Sequence, residues 1–120
     1  MKLTVENAVE IAKKYNFAYD EDLEEIIIPN NICVDDDDYS FMRFEPGMVE
    51  GIDFSCAYEF GVTALENGKL GFHTSTFKNI TTTEEFERNI KNFLGFIELV
   101  KPLEKKYQEQ VKLNKMDGDF

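Results

Sequence analysis

The longest regular pattern in the chain is an alternation. In IDFSCAYEFGVTA, residues 52–64, every second position from Ile52 to Ala64 is apolar, and Asp53, Ser55, Ala57, Glu59, Gly61 and Thr63 fall between. A period of two sustained this long predicts a strand with one buried face. ENGK follows, and then LGFHTSTF, residues 70–77, reads as the returning strand of a hairpin. A two-residue Asn67–Gly68 loop would set apolar Phe60 and Val62 opposite Ser75 and His73. A three-residue loop, Glu66–Asn67–Gly68 with Gly68 left-handed in a bulge, pairs Ala64 with Leu70, Val62 with Phe72 and Phe60 with Thr74. A slip of one residue turns every side chain to the other face, so the three-residue loop is predicted. The outer face then pairs Gly61 with His73, Glu59 with Ser75 and Ala57 with Phe77.

Helical spacing brackets this hairpin. Val5, Ala8, Val9, Ala12 and Tyr15 follow Thr4, a good N-cap, and predict a helix over 5–15 with Lys13 and Lys14 at its negative end. Phe17 and Tyr19 lead into an acidic loop, DEDLEE at 20–25. EEIIIP, 24–29, is β-branched and stopped by Pro29, so it reads as a short strand. Asn30–Asn31 then turns into ICV, 32–34, and SFMRFE, 40–45, is a further strand ended by Pro46–Gly47. Near the C-terminus, Thr82 with Glu85 three residues on fits a capping box. Phe86, Ile90, Phe93, Ile97 and Val100 form an apolar stripe, widened by Leu94, Phe96 and Leu99. Pro102 should kink or break this helix, after which Leu103, Tyr107 and Val111 continue a narrow stripe. The expected fold is α+β: an N-terminal helix, an antiparallel meander of four to five strands around the 52–64/70–77 hairpin, and a long C-terminal helix kinked near Pro102, with the helices on one face. Residues 1–115 form one domain and 116–120 a frayed acidic tail.

Composition agrees with that picture. At 120 residues, 42 % of them apolar and with eleven Phe, the chain has a globular make-up and is long enough to build a core without disulfides or metal. No apolar run is long enough to span a bilayer, and MKLTVENAVEIAKK has acids within its apolar pattern, unlike a signal peptide. Cys33 and Cys56 share no CxxC spacing and read as free thiols of a cytoplasmic protein.

Charge changes the picture more. The net charge is −11, and residues 20–59 hold thirteen acids against one base, Arg43. The rest of the chain is nearly neutral, so the acidity is concentrated rather than dispersed. Four of these acids, Asp35, Asp36, Asp37 and Asp38, are consecutive. They do not make an EF-hand: from either Asp35 or Asp36, positions 6 and 12 are not Gly and Glu. As an extended ribbon they present charge at a density like that of a nucleic-acid strand, about one per 3.3 Å. Direct contact with nucleic acid or an anionic membrane is disfavoured for the same reason.

Little points to catalysis. His73, Ser75 and Glu59 can be drawn as a hydrolase triad, but no GxSxG elbow accompanies them, and a flat sheet face excludes water poorly. They read as a surface polar cluster, and Cys56, within the buried alternation, as core. No catalytic, cofactor or metal site is expected.

The expectation is therefore a small, acidic, non-enzymatic binding protein. Its partner surface would comprise Asp35, Asp36, Asp37 and Asp38 with Asp22, Glu24, Glu25, Asp53 and Glu59, engaging a basic protein such as a nuclease or other nucleic-acid-binding protein. Its most concrete form is an inhibitor that blocks a nucleic-acid-binding site, by analogy of size and charge with the anti-restriction, anti-CRISPR and nuclease-immunity proteins carried by phages and mobile elements. Two alternatives stand beside it. One is a dimeric chaperone or adaptor using Leu103, Tyr107 and Val111, as a homodimer or with another partner. The other is a cation-binding domain.

Overall fold

The structure, a computed structural model, describes residues 1–29, 32, 40–47, 51–66 and 68–118, with side chains as far as Leu113. Helix α1, Val5–Lys14, begins where Thr4 accepts the Asn7 amide and Asn7 returns the bond to the Thr4 N–H, a reciprocal cap. It ends with Asn16 left-handed at φ 66°, the Asn16 N–H on Lys13 O and the Phe17 N–H on Ala12 O. This reversal turns Phe17 into the core, edge-on to Phe41 with centroids 5.1 Å apart.

The chain then enters β1, Ala18–Asp20, paired antiparallel with β2, Glu25–Ile27. The predicted acidic loop is thus narrower than expected. Asp20 and Glu25 face each other in the ladder, and residues 21–24 make a tight turn. The Asp20 carboxylate accepts the Leu23 N–H at 3.1 Å, and Glu24 is left-handed at φ 54°. Strands β3, Ser40–Pro46, β4, Ile52–Ala64, and β5, Leu70–Ile80, complete a five-stranded antiparallel meander in chain order. Helices α2, Thr83–Val100, and α3, Leu103–Gly118, follow, separated at Lys101–Pro102 as the missing proline N–H requires. The protein is α+β.

The core is phenylalanine-rich and depends on an irregular strand. Ile26 pairs with Met42 but Ile27 with Ser40, so Phe41 has no partner in the β2–β3 ladder. This bulge lets the consecutive residues Phe41 and Met42 both be fully buried. The Phe41 ring meets Phe17, Phe60, Phe86 and Phe93 at centroid separations of 5.1 to 6.3 Å.

The hairpin has the predicted turn: Gly68 is left-handed at φ 86°, and Ala64↔Leu70, Val62↔Phe72, Phe60↔Thr74, Gly61↔His73 and Ala57↔Phe77 are opposite. One predicted pair is corrected. Glu59 faces Thr76 rather than Ser75, because irregularities at Tyr58 and Ser75 shift the register and then restore it. At this step the Thr74 hydroxyl donates to Ser40 O at 3.0 Å, tying β5 to β3 across β4.

Burial of β4 is also shorter than its alternation. Phe54, Cys56 and Ala57 are buried, whereas Ile52, Val62 and Ala64 are exposed. At about 3.3 Å per residue the strand is about 43 Å long, and α2 at 1.5 Å per residue covers about 27 Å. The hairpin overhangs, and α3 closes on the overhang. The Leu70 N–H donates to the Glu104 carboxylate at 2.9 Å, and the Tyr107 hydroxyl to Leu65 O at 2.6 Å. The result is an elongated molecule of 64 × 23 × 20 Å. Leu99, expected to widen the buried stripe of α2, is instead 77 % exposed, since only one side of that helix meets the sheet.

Candidate partner-binding surface

Antiparallel order decides which turns share an end of the sheet. The 21–24 turn and the paired residues Pro46 and Ile52 lie at one end of the sheet. Ala64 and Leu70 lie at the other. The junctions at Ile27 and Ser40 point toward that second end but stop about six residues of β4 short of it, since Met42 pairs with Cys56. Of the predicted surface, Asp22, Glu24, Glu25 and Asp53 come to the first end, joined there by Asp20, Glu21 and Glu45. The Phe44 N–H donates to Glu24 O at 2.9 Å, which fastens the acidic turn beside Glu45. Glu59 is not part of this cluster. It sits six residues along β4 from Asp53, about 20 Å away at strand rise, with its carboxylate accepting the Thr76 hydroxyl at 3.4 Å. Asp35, Asp36, Asp37 and Asp38 lie outside the described residues. The connection that carries them leaves β2 and rejoins β3 at the end opposite the 21–24 turn.

Glu45, not singled out from the sequence, is the informative member. It stands directly opposite Asp53 in the β3–β4 ladder. Like charges at such positions are destabilising. Arg43, the one base on β3 and β4, is already engaged: its Nε lies 3.3 Å from Glu25 Oε1 and its guanidinium 5.1 Å from the centre of the Phe77 ring. Among the described residues, neither Glu45, Asp53 nor Glu24 has an ion-pair partner. The Tyr19 phenol registers this field. It is held above its ordinary pKa first by partial burial and then by the charges of Glu21, Glu24 and Asp20.

The polar residues of the hairpin do not assemble as a triad. The His73 ring lies across Gly61, where a Cβ would overlap its Cε1 and Nε2. Glu59 is bonded to Thr76, and among the described residues no hydrogen bond joins His73 to Glu59 or Ser75. Cys56 is fully buried and receives the Asn89 Nδ2–H at 3.5 Å, and desolvation pushes its thiol up to about 12. Cys33 lies outside the described residues. Because the folded pKa of Cys56 is raised, its contribution to stability is complete below the unfolded value near 9 and is lost as pH rises toward 12. Urea unfolding at pH 8 and pH 10 should show wild type losing about 1.4 kcal/mol more than Cys56→Ala over that interval. Equal losses would mean the thiol ionises normally in the fold.

On α3, Tyr107 is half-buried against the hairpin, Val111 is half-buried and Leu103 is 52 % exposed. Among the described residues, no three His, Cys, Asp or Glu side chains gather as a metal site, and no helix is long and apolar enough to cross a membrane. No protein-family model matches the chain, and neither a curated protein nor a solved structure does.

Proposed function

We propose that this is a small, non-enzymatic, cytosolic binding protein that engages a basic protein surface through the acidic end of its sheet. The observation that carries the reading is the facing pair Glu45 and Asp53, left without a counter-ion next to the 20–25 turn. A fold that retains opposed carboxylates in a ladder gives up stability unless a partner's cations offset them. The most concrete form remains an inhibitor that occupies the basic groove of a nuclease or other nucleic-acid-binding protein. Its centre then lies at Asp22, Glu24, Glu25, Glu45 and Asp53, rather than at Asp35–Asp38.

The test is capture from nuclease-treated lysate of the source organism at low salt, eluted with a salt gradient. A nucleic-acid-processing protein that elutes as salt rises, and that a Glu45→Gln/Asp53→Asn variant fails to retain, supports the proposal. Partners that survive high salt and are kept by that variant remove it. A second reading, an adaptor or homodimer formed through α3, draws on the exposure of Leu99, Leu103 and Leu113. It predicts that Leu103→Glu releases the partner while Glu45→Gln/Asp53→Asn does not. Tyr107 is the wrong residue for that test, because its hydroxyl holds the chain's own hairpin.

A further inference from the structure

The two edges of the sheet are built differently. At one edge β1 is three residues long, ends in Asp20 and runs into Glu21 and Asp22. A short strand rimmed by charge is a guarded edge. At the other edge β5 has eleven residues. No acid occurs from Asn67 to Thr83, the longest acid-free stretch of a chain with net charge −11, and Lys78 carries the only formal charge on the strand. The chain closes both ends of this edge itself. The Leu70 N–H is held by the Glu104 carboxylate at 2.9 Å, and the Leu3 N–H donates to Thr81 O at 2.9 Å. Between them, among the described residues, no backbone group of residues 71–80 finds a partner outside β4. Ser75, Lys78 and Asn79 are exposed.

We infer that this edge pairs with the same edge of a second copy, antiparallel about a two-fold axis at Ser75, so that two sheets join into one. An open run of backbone donors and acceptors is a template for another strand, and the irregularity of β5 selects which strand. Ser75 is skipped in the β4–β5 ladder, and such a bulge spoils the fit of a regular strand. It fits a strand that is irregular at the same point. The fold holds a precedent: Tyr58 is skipped on β4 beside Ser75 on β5, and the register set by Ala57↔Phe77 is recovered at Phe60↔Thr74. Ser75 is the middle residue of Leu70–Ile80, so antiparallel two-fold pairing sets the two bulges opposite each other. Charge points the same way. The acidic turn lies at the far edge, four strand spacings or about 19 Å away, so two copies of an acidic chain meet where repulsion is least. Each Lys78 falls opposite Phe72 of the other copy, which keeps the two lysines about 20 Å apart. Phe77 of each copy faces His73 of the other, a favourable cross-strand pair made twice.

The experiment is sedimentation velocity of the full chain over a range of concentrations, at about 0.15 M salt to screen its net charge. Wild type should pass from monomer to dimer in the micromolar range, as suits an interface made mainly of one strand pair. Ser75→Glu and Ser75→Lys, at an exposed position, each set like charges against each other at the axis. Each should weaken the dimer by about tenfold or more. An equimolar mixture of the two variants should dimerise at least as well as wild type, because opposite charges then meet. Glu45→Gln/Asp53→Asn should leave the dimer unchanged, since this edge is separate from the acidic end. A wild-type chain still monomeric at about 0.5 mM overturns the inference. So does a dimer indifferent to both Ser75 variants, and one that Leu103→Glu abolishes while they do not belongs to α3. If one sign of charge weakens the dimer and the other strengthens it, Ser75 meets a different site on the second copy, and the two-fold pairing is overturned.

Discussion

Phe41→Ala is expected to destabilise the protein by about 3–5 kcal/mol, the range for removing a fully enclosed aromatic ring. The ring has no exposed surface and touches four others. These come from separate parts of the fold: Phe17 after α1, Phe60 on β4, and Phe86 and Phe93 on α2. A cavity at this junction cannot close by shifting one neighbour, because the four rings are anchored at three separate places in the fold. A domain of this size is stable by only about 5–15 kcal/mol, so the variant should unfold at much lower urea with an unchanged m-value. The contrasting substitution is Phe77→Ala, on the opposite face and only half-buried. It should cost clearly less. Equal losses at the two positions would mean that the bulge at Phe41 is not what joins the helices to the sheet.

That bulge illustrates what a residue pattern does and does not disclose. The β4–β5 register was legible because a turn glycine and two apolar faces had to agree at once, and Gly68 satisfies both. The ends of α1 and α2 were legible because Thr4 and Thr82 sit where helical N–H groups need acceptors. In SFMRFE the consecutive apolar residues Phe41 and Met42 break the period of two, and only the pairing with β2 shows that a bulge turns both inward. Strand β1, three residues with Ala18 exposed, is too short to carry a period at all. The candidate surface was half legible. The excess of acids between residues 20 and 59 is a property of composition, and the gathering of Asp22, Glu24, Glu25 and Asp53 at one end is a property of strand order. Glu45 escaped notice because its meaning depends on facing Asp53, and the turn between their strands has no two-residue signature from which to count the register.

Asp53→Lys should move stability and binding in opposite directions. In the fold it replaces a carboxylate facing Glu45 with an ammonium, so a destabilising cross-strand pair becomes a favourable one. The expected gain is about 0.2–1 kcal/mol, read as a higher urea midpoint at low salt and shrinking as salt screens the pair. At the proposed interface the same change puts a cation where the partner carries its own. Association with the basic partner should slow by about tenfold or more, mostly through the encounter rate, because like charges facing across an interface oppose docking. A destabilised variant that stops binding says little, since misfolding accounts for it. A variant that is more stable and binds less places the charge itself in the interface. If Asp53→Lys is stabilised while partner capture is unaltered, the acidic end is only a solvated turn. The outer side of α3, with Leu103 and Leu113 exposed, then becomes the surface to pursue.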